Sequence, residues 1–277
     1  MTDTERHLNL LLARSVWLLR VAAGMTREVE RRLEELHKEL VAMLAASDLP
    51  ANMAYVTRRG YEDIGRWLSG QFINLQESQR FFLYTELGQG LIDRWEVLGL
   101  PLERWIDRLA ENERARVEAL ASRRLDLETA IEELSSGIPL RRFESLIKTA
   151  VMSLASSIVI RSFNWLDIQW QQISVLDNRT TQVCQDYAFK VWNAKLEPVG
   201  HSLPFNGGPP RHWHCRSILL PLMDGKPVEE MSFKQWFDGL SDTAQDETFG
   251  VKAKLFRSGK VPAADLFKNL RPAPLPA

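Results

Sequence analysis

QWQQISVLDNRTTQVCQ, Gln169 to Gln185, marks the point where the texture of the chain changes. Its run Ile173 to Leu176 is strand-like, and the polar residues from Asp177 onward form a turn signal. Upstream, apolar residues recur at helical spacing. Downstream, Pro198, Pro204, Pro209 and Pro210 exclude any long regular element from EPVGHSLPFNGGPP. The expected fold class is therefore mainly α. It comprises a helical region over 1–163, a small α+β domain over 164–250, and an extended, basic, proline-ended tail over 251–277.

Within the helical region, Leu33, Leu36, Leu40 and Met43 mark one apolar face of a charged helix. Gly24 interrupts the apolar run, and Thr26 is a candidate cap for a new helix with Glu28 and Glu30 in its first turns. Pro50 requires a break near residues 47–54, with Ser47 or Asp48 as caps. Residues 55–99 are helical but carry Gly60, Gly65, Gly70, Gly88 and Gly90, which blur the boundaries. Trp67, Phe72, Phe81, Phe82, Tyr84 and Trp95 there pack a core or line a groove for a partner helix. Pro101 suits the first turn of a long helix, Leu102 to Leu134. Leu102, Ile106, Leu109, Val117, Leu120, Leu127, Ile131 and Leu134 set its near-heptad rhythm, which Glu113 and Arg124 interrupt. SGIP at 136–139 stops it, and another helix follows over 140–163.

With 45% hydrophobic and 26% charged residues, the composition is that of a folded soluble protein. VMSLASSIVI at 151–160 is too short to span a bilayer and is expected to be a buried helix, so no membrane segment is expected. The N-terminus lacks a signal-peptide pattern. Two cysteines in 277 residues argue against a disulfide scaffold and for a reducing cytosol. Residues 251–277 hold six basic residues (Lys252, Lys254, Arg257, Lys260, Lys268, Arg271) and one acid, Asp265, leaving 29 basic and 35 acidic residues elsewhere. Those six are the candidates for contact with DNA or an acidic partner.

PPRHWHCRS, Pro209 to Ser217, places two histidines and a cysteine within four positions. Cys184, His212 and Cys215 are candidate zinc ligands, with His214 or His201 as the fourth. A disulfide between Cys184 and Cys215 would staple the same loop. Thiol catalysis with a histidine base is a third use, and plain burial of two small residues a fourth. Asp177, Arg179 and Thr180 suit a turn clasp, Asp177 accepting backbone N–H groups. Arg179 and Arg216 suit a carboxylate, loop carbonyls or a phosphate.

The order LDNRTTQVC, a loop, then PPRHWHCRSILLPL resembles the Mu-F-like head morphogenesis domain of tailed-phage minor head proteins. Asp177, Arg179, Thr180, Cys184, Pro210, His212, Cys215 and Arg216 carry the resemblance. The later segment from Phe233 to Phe267 is similar to what often follows that domain. The chain departs at Ser217, where many relatives have a second cysteine, and at His214, where many have asparagine. The resemblance implies a non-enzymatic virion protein inside the head near the portal, passing through the host cytoplasm during assembly. Its implied partners are the portal, with major capsid or scaffold protein and DNA as further contacts. No cofactor is implied, zinc being the alternative. The rival classes are a zinc-dependent or thiol enzyme and a nucleic-acid-binding protein; no HExxH carboxylate and no recognisable reader module supports them.

Overall fold

The computed structural model describes residues 3–46, 49–80, 96–123, 126–163, 166–174, 180–229 and 233–266. Among the described residues, five helices come first: α1 Asp3–Ala45, α2 Pro50–Arg80, α3 Leu102–Ala121, α4 Leu127–Leu134 and α5 Ile138–Phe163. A short sheet and further helices follow: β1 Gln169–Ile173, α6 Gln182–Tyr187, β2 Val191–Trp192, β3 Pro198–Val199, β4 Ile218–Leu222, α7 Phe233–Asp238, α8 Asp242–Phe249, α9 Val251–Arg257 and α10 Ala263–Leu266. The molecule is mainly α with a small antiparallel sheet in the order β3-β2-β1-β4.

Several local expectations are corrected. No new helix starts at Thr26: α1 runs straight through Gly24, and the Thr26 hydroxyl donates back to the Ala22 carbonyl at 2.9 Å. A threonine inside a helix makes this i−4 bond instead of capping. The single helix read over Leu102 to Leu134 is two. Asp126 caps the second, accepting from the Thr129 N–H at 2.9 Å, and Leu127 is exposed instead of core-facing. Glu113, which breaks the apolar rhythm, is buried and pairs with Arg116. That arginine donates to the Glu133 carbonyl at 2.7 Å, tying α3 to the C-terminal end of α4. The strand spans Gln169–Ile173, so of the run expected over Ile173 to Leu176 it includes Ile173 and not Ser174, while Val175 and Leu176 lie outside the described residues. Residues 175–179, and with them Asp177 and Arg179, lie outside the described residues, as do Phe81, Phe82, Tyr84, Gly88, Gly90, Trp95, Arg124, Lys268 and Arg271.

Gly60, Gly65 and Gly70 sit inside one unbroken α2. Two of them mark close approaches: a Cβ on Gly60 would meet Leu36 of α1, and one on Gly65 would meet Ile106 of α3. The largest core cluster joins α1, α2, α3 and α5 through residues such as Met25, Leu68, Ile106 and Ile147. α1 extends past this bundle. Its Leu8 packs with Met152, Ile173, Ile218 and Leu220, and its Val16 with Phe237, Phe249, Ala253 and Leu266. One stretch, Leu127–Arg161, is long and apolar enough to cross a membrane by composition, and 67% of its most apolar window is buried against the rest of the molecule, as in a core helix.

β4 contains Pro221 and shows no alternation because all five of its residues are buried. It is an edge strand, where a missing N–H is tolerated. β1 carries two buried glutamines whose amides are engaged. Gln171 donates to Phe189 and Val228 carbonyls and accepts from the Val228 N–H at 2.8 Å; Gln172 accepts from Arg211 Nε at 2.7 Å. Buried amides are tolerated when paired in this way.

Candidate metal centre

The proline-rich segment before the site has little ladder pairing, and aromatic rings hold it. Trp192 is fully buried, stacked on Tyr187 at 5.8 Å and edge-on to His201 and Phe205 at 5.2 and 5.5 Å. Its Nε1 donates to the Leu203 carbonyl and the Tyr187 hydroxyl to the Pro204 carbonyl, both at 3.0 Å. Arg211 completes the arrangement. Its guanidinium lies 3.7 Å from the centroid of the Tyr187 ring and donates to the Phe205 and Gly207 carbonyls at 3.2 Å. Arg211 and Gln172 are site-building residues that the sequence reading missed, since a charged loop residue and a strand glutamine carry no pattern. The Pro209–Pro210 peptide bond is cis.

His212 to Cys215 form a tight turn closed by the Cys215 N–H on the His212 carbonyl at 3.2 Å. His214 occupies its third position with φ +60. A positive φ at that position suits Gly or Asn, with His also over-represented among the non-glycine residues that adopt it. The His214 N–H donates to Thr149 Oγ1 of α5 at 3.1 Å, and Trp213 meets Trp105 of α3 edge-on at 4.9 Å. The turn is thus anchored to the helical bundle.

The turn carries His212 and Cys215 to Cys184 on α6. Cys184 Sγ lies 3.6 Å from Cys215 Sγ and 3.0 Å from His212 Nε2, and the three candidate ligand atoms lie within 4.8 Å of one another. Both cysteines are free and buried. His212 Nδ1 donates to the Trp213 carbonyl at 2.7 Å, which assigns the proton to Nδ1 and leaves the Nε2 lone pair facing the thiols and Thr181 Oγ1, 2.8 Å away. Thr181 stands at the N-terminus of α6, yet its side chain makes no capping bond and faces His212 instead. Ser217 Oγ donates to Cys184 Sγ at 3.3 Å and lies 3.0 Å from Ser174 Oγ, which itself donates to the Cys184 carbonyl at 3.0 Å.

The two thiols titrate as a pair. The hydrogen bond from Cys184 draws Cys215 below the usual thiol range against the opposing effect of burial, and backbone N–H groups of Arg211 and Ser217 assist. The same bond, with burial, pushes Cys184 well above the usual thiol range.

Of the other sequence candidates, His201 lies outside the cluster, with Nε2 donating to the Val191 carbonyl at 2.8 Å and Nδ1 accepting from the Leu203 N–H at 3.2 Å. His214 is exposed and is not one of the three clustered ligands. Pro210 borders the loop, and Thr180 and Arg216 line a cavity of about 20 Å³ beside Cys184 together with Thr181, His212, His214 and Ser217. Among the C-terminal cations, Lys254 and Lys260 are exposed. Lys252 donates to the Asp265 carbonyl at 2.9 Å, and Arg257 binds Gln245 and Asp246 at 2.6 and 2.7 Å. No protein-family model, curated protein or solved structure matches the chain.

Proposed function

We propose that the chain is a non-enzymatic minor head protein of a tailed phage or prophage. It binds the portal inside the head and assists head assembly, with DNA packaging or delivery as a further role. The observation that carries this reading is the ordered motif set: Asp177, Arg179, Thr180 and Cys184 before the loop, then Pro210, His212, Cys215 and Arg216 after it. The geometry supports it in one respect. Of the described motif residues, Cys184, His212 and Cys215 come together across the proline-rich loop, and Thr180 and Arg216 line the cavity beside them.

The Cys184–His212 distance of 3.0 Å favours a thiol enzyme as a second reading. Two observations weigh against it. Cys184 and Cys215 are both buried, and the adjoining cavity of about 20 Å³ has room for a water but not for a substrate. The test is co-expression of the full chain with its cognate portal, recovery of the complex, and imaging. Stable recovery with density on the portal ring is expected; failure to associate both in vitro and in assembled particles defeats the reading.

A further inference from the structure

We propose that Cys184, His212 and Cys215 bind one zinc ion, with a water molecule in the fourth position held by the Thr181 and Ser217 hydroxyls. The inference stands apart from the head-protein reading. Zn–S bonds of about 2.3 Å and Zn–N bonds of about 2.0–2.1 Å put tetrahedral ligand atoms about 3.5–3.8 Å apart. The Cys184–Cys215 separation of 3.6 Å is such an edge, and Cys184–His212, at 3.0 Å, needs only a small opening. A covalent S–S bond would instead require the sulfurs to close to about 2.05 Å. Two thiolates and an imidazole form a set that selects zinc over magnesium or calcium, and with Zn²⁺ they make a neutral centre.

The histidine is already oriented. Its Nδ1–H is fixed on the Trp213 carbonyl, the outer bond that metal-binding imidazoles make, and Nε2 faces the sulfurs. The three ligands come from α6 and from the turn before β4, so one ion would join both ends of the proline-rich loop. The cavity of about 20 Å³ lined by Thr181 and Ser217 is the size of one water. On binding, the remaining thiol protons pass to solvent and no atom changes oxidation state.

The experiment uses the full chain, purified under reducing conditions. Elemental analysis is expected to find about one zinc per chain. Cobalt(II) replacing zinc should give tetrahedral d–d bands and a thiolate-to-metal charge-transfer band. His212→Ala should weaken cobalt affinity by at least about tenfold, the lower end of what even outer-shell changes produce. Ser217→Cys places a third thiol beside Cys184 and should intensify the charge-transfer band. If the substituted chains fail to fold, wild type alone decides: zinc should protect both thiols from alkylation, and a chelator should remove the protection. A reduced wild-type chain that gives no d–d bands and has two thiols reacting equally with and without zinc overturns the proposal. So does a freshly purified chain found zinc-free with Cys184 and Cys215 disulfide-bonded.

Discussion

His214 shows how a single backbone angle can govern a residue that sequence alone assigns to chemistry. At φ +60 a branched side chain is strained, whereas asparagine adopts the conformation readily. His214→Asn should leave stability nearly unchanged, and His214→Val should lower it by about 1–3 kcal/mol, the range for a residue held in a sparsely populated conformation. Urea unfolding of the two variants checks this; equal stabilities would refute it. His37 on α1 offers a second test at this scale. Burial lowers its pKa from the ordinary 6.5, with the Glu113 carboxylate opposing and Arg116 adding to the effect. The folded chain therefore disfavours the imidazolium. The stabilising contribution is present above about pH 6.5 and is lost as pH falls, because the unfolded chain takes up the proton first. Wild type should lose more stability than His37→Gln between pH 7.5 and pH 5 in urea titrations, and identical losses would remove the assignment.

The helices owe their packing to small residues as much as to apolar stripes. A Cβ on Gly65 would stand 2.7 Å from Ile106 Cγ2, while one on Gly70 would meet nothing within 4 Å. Gly70→Ala should therefore stabilise by up to about 1 kcal/mol through helix propensity alone. Gly65→Ala gains the same term but overpacks the α2–α3 contact at a cost of about 1–3 kcal/mol, for a net loss. In an Ile106→Ala background the sign should reverse, since the obstructing methyl is gone. A double-mutant cycle by thermal or urea unfolding measures this, and additive effects would show that the close approach is not real. The α3–α4 break belongs to the same scale. Asp126 caps one helix, and the Glu113–Arg116 pair ties the end of that helix to the other.

At the scale of the molecule, α1 carries the load. It contributes to the helical core, to the cluster under the sheet and to the cluster formed by α7 through α10. The basic C-terminal region is consequently not all tail: Ala253 and Leu266 are buried beside Val16 and Phe237. Truncation after Gly250 should expose that cluster and lower the melting temperature. Truncation after Leu266 spares it and removes Lys268 and Arg271. An electrostatic part of the proposed portal binding is tested by Lys254→Glu with Lys260→Glu, both exposed. Portal recovery should weaken in this variant and in rising salt, as exposed charge pairs are screened. Retardation of duplex DNA by wild type, lost in the variant, would instead assign the charge to DNA contact. Recovery indifferent to both charge and salt would end the electrostatic account.

The sequence by itself determined the helical first half, the change of texture beyond residue 163, and the pairing of Cys184 with the His212–Cys215 turn. Each depends on spacing or on residue types with few alternative uses: period-3.6 apolar positions, prolines that forbid regular structure, and thiols beside imidazole. Tertiary structure decided the rest. Gln171, Gln172 and Arg211 look like surface residues until the partners that satisfy them, far along the chain, come into view. Gly60 and Gly65 look like helix breakers until another helix lies against them. Leu127 looks like core until Asp126 turns the chain. His201 and His214 match His212 in type, but only the folded chain brings His212 Nε2 to within 3.0 Å of Cys184 Sγ, with its Nδ1 held on the Trp213 carbonyl. Local pattern reports a residue's own preferences. Long-range contacts determine whether a polar group is satisfied or a ligand set complete, and these exist only once the chain has closed on itself.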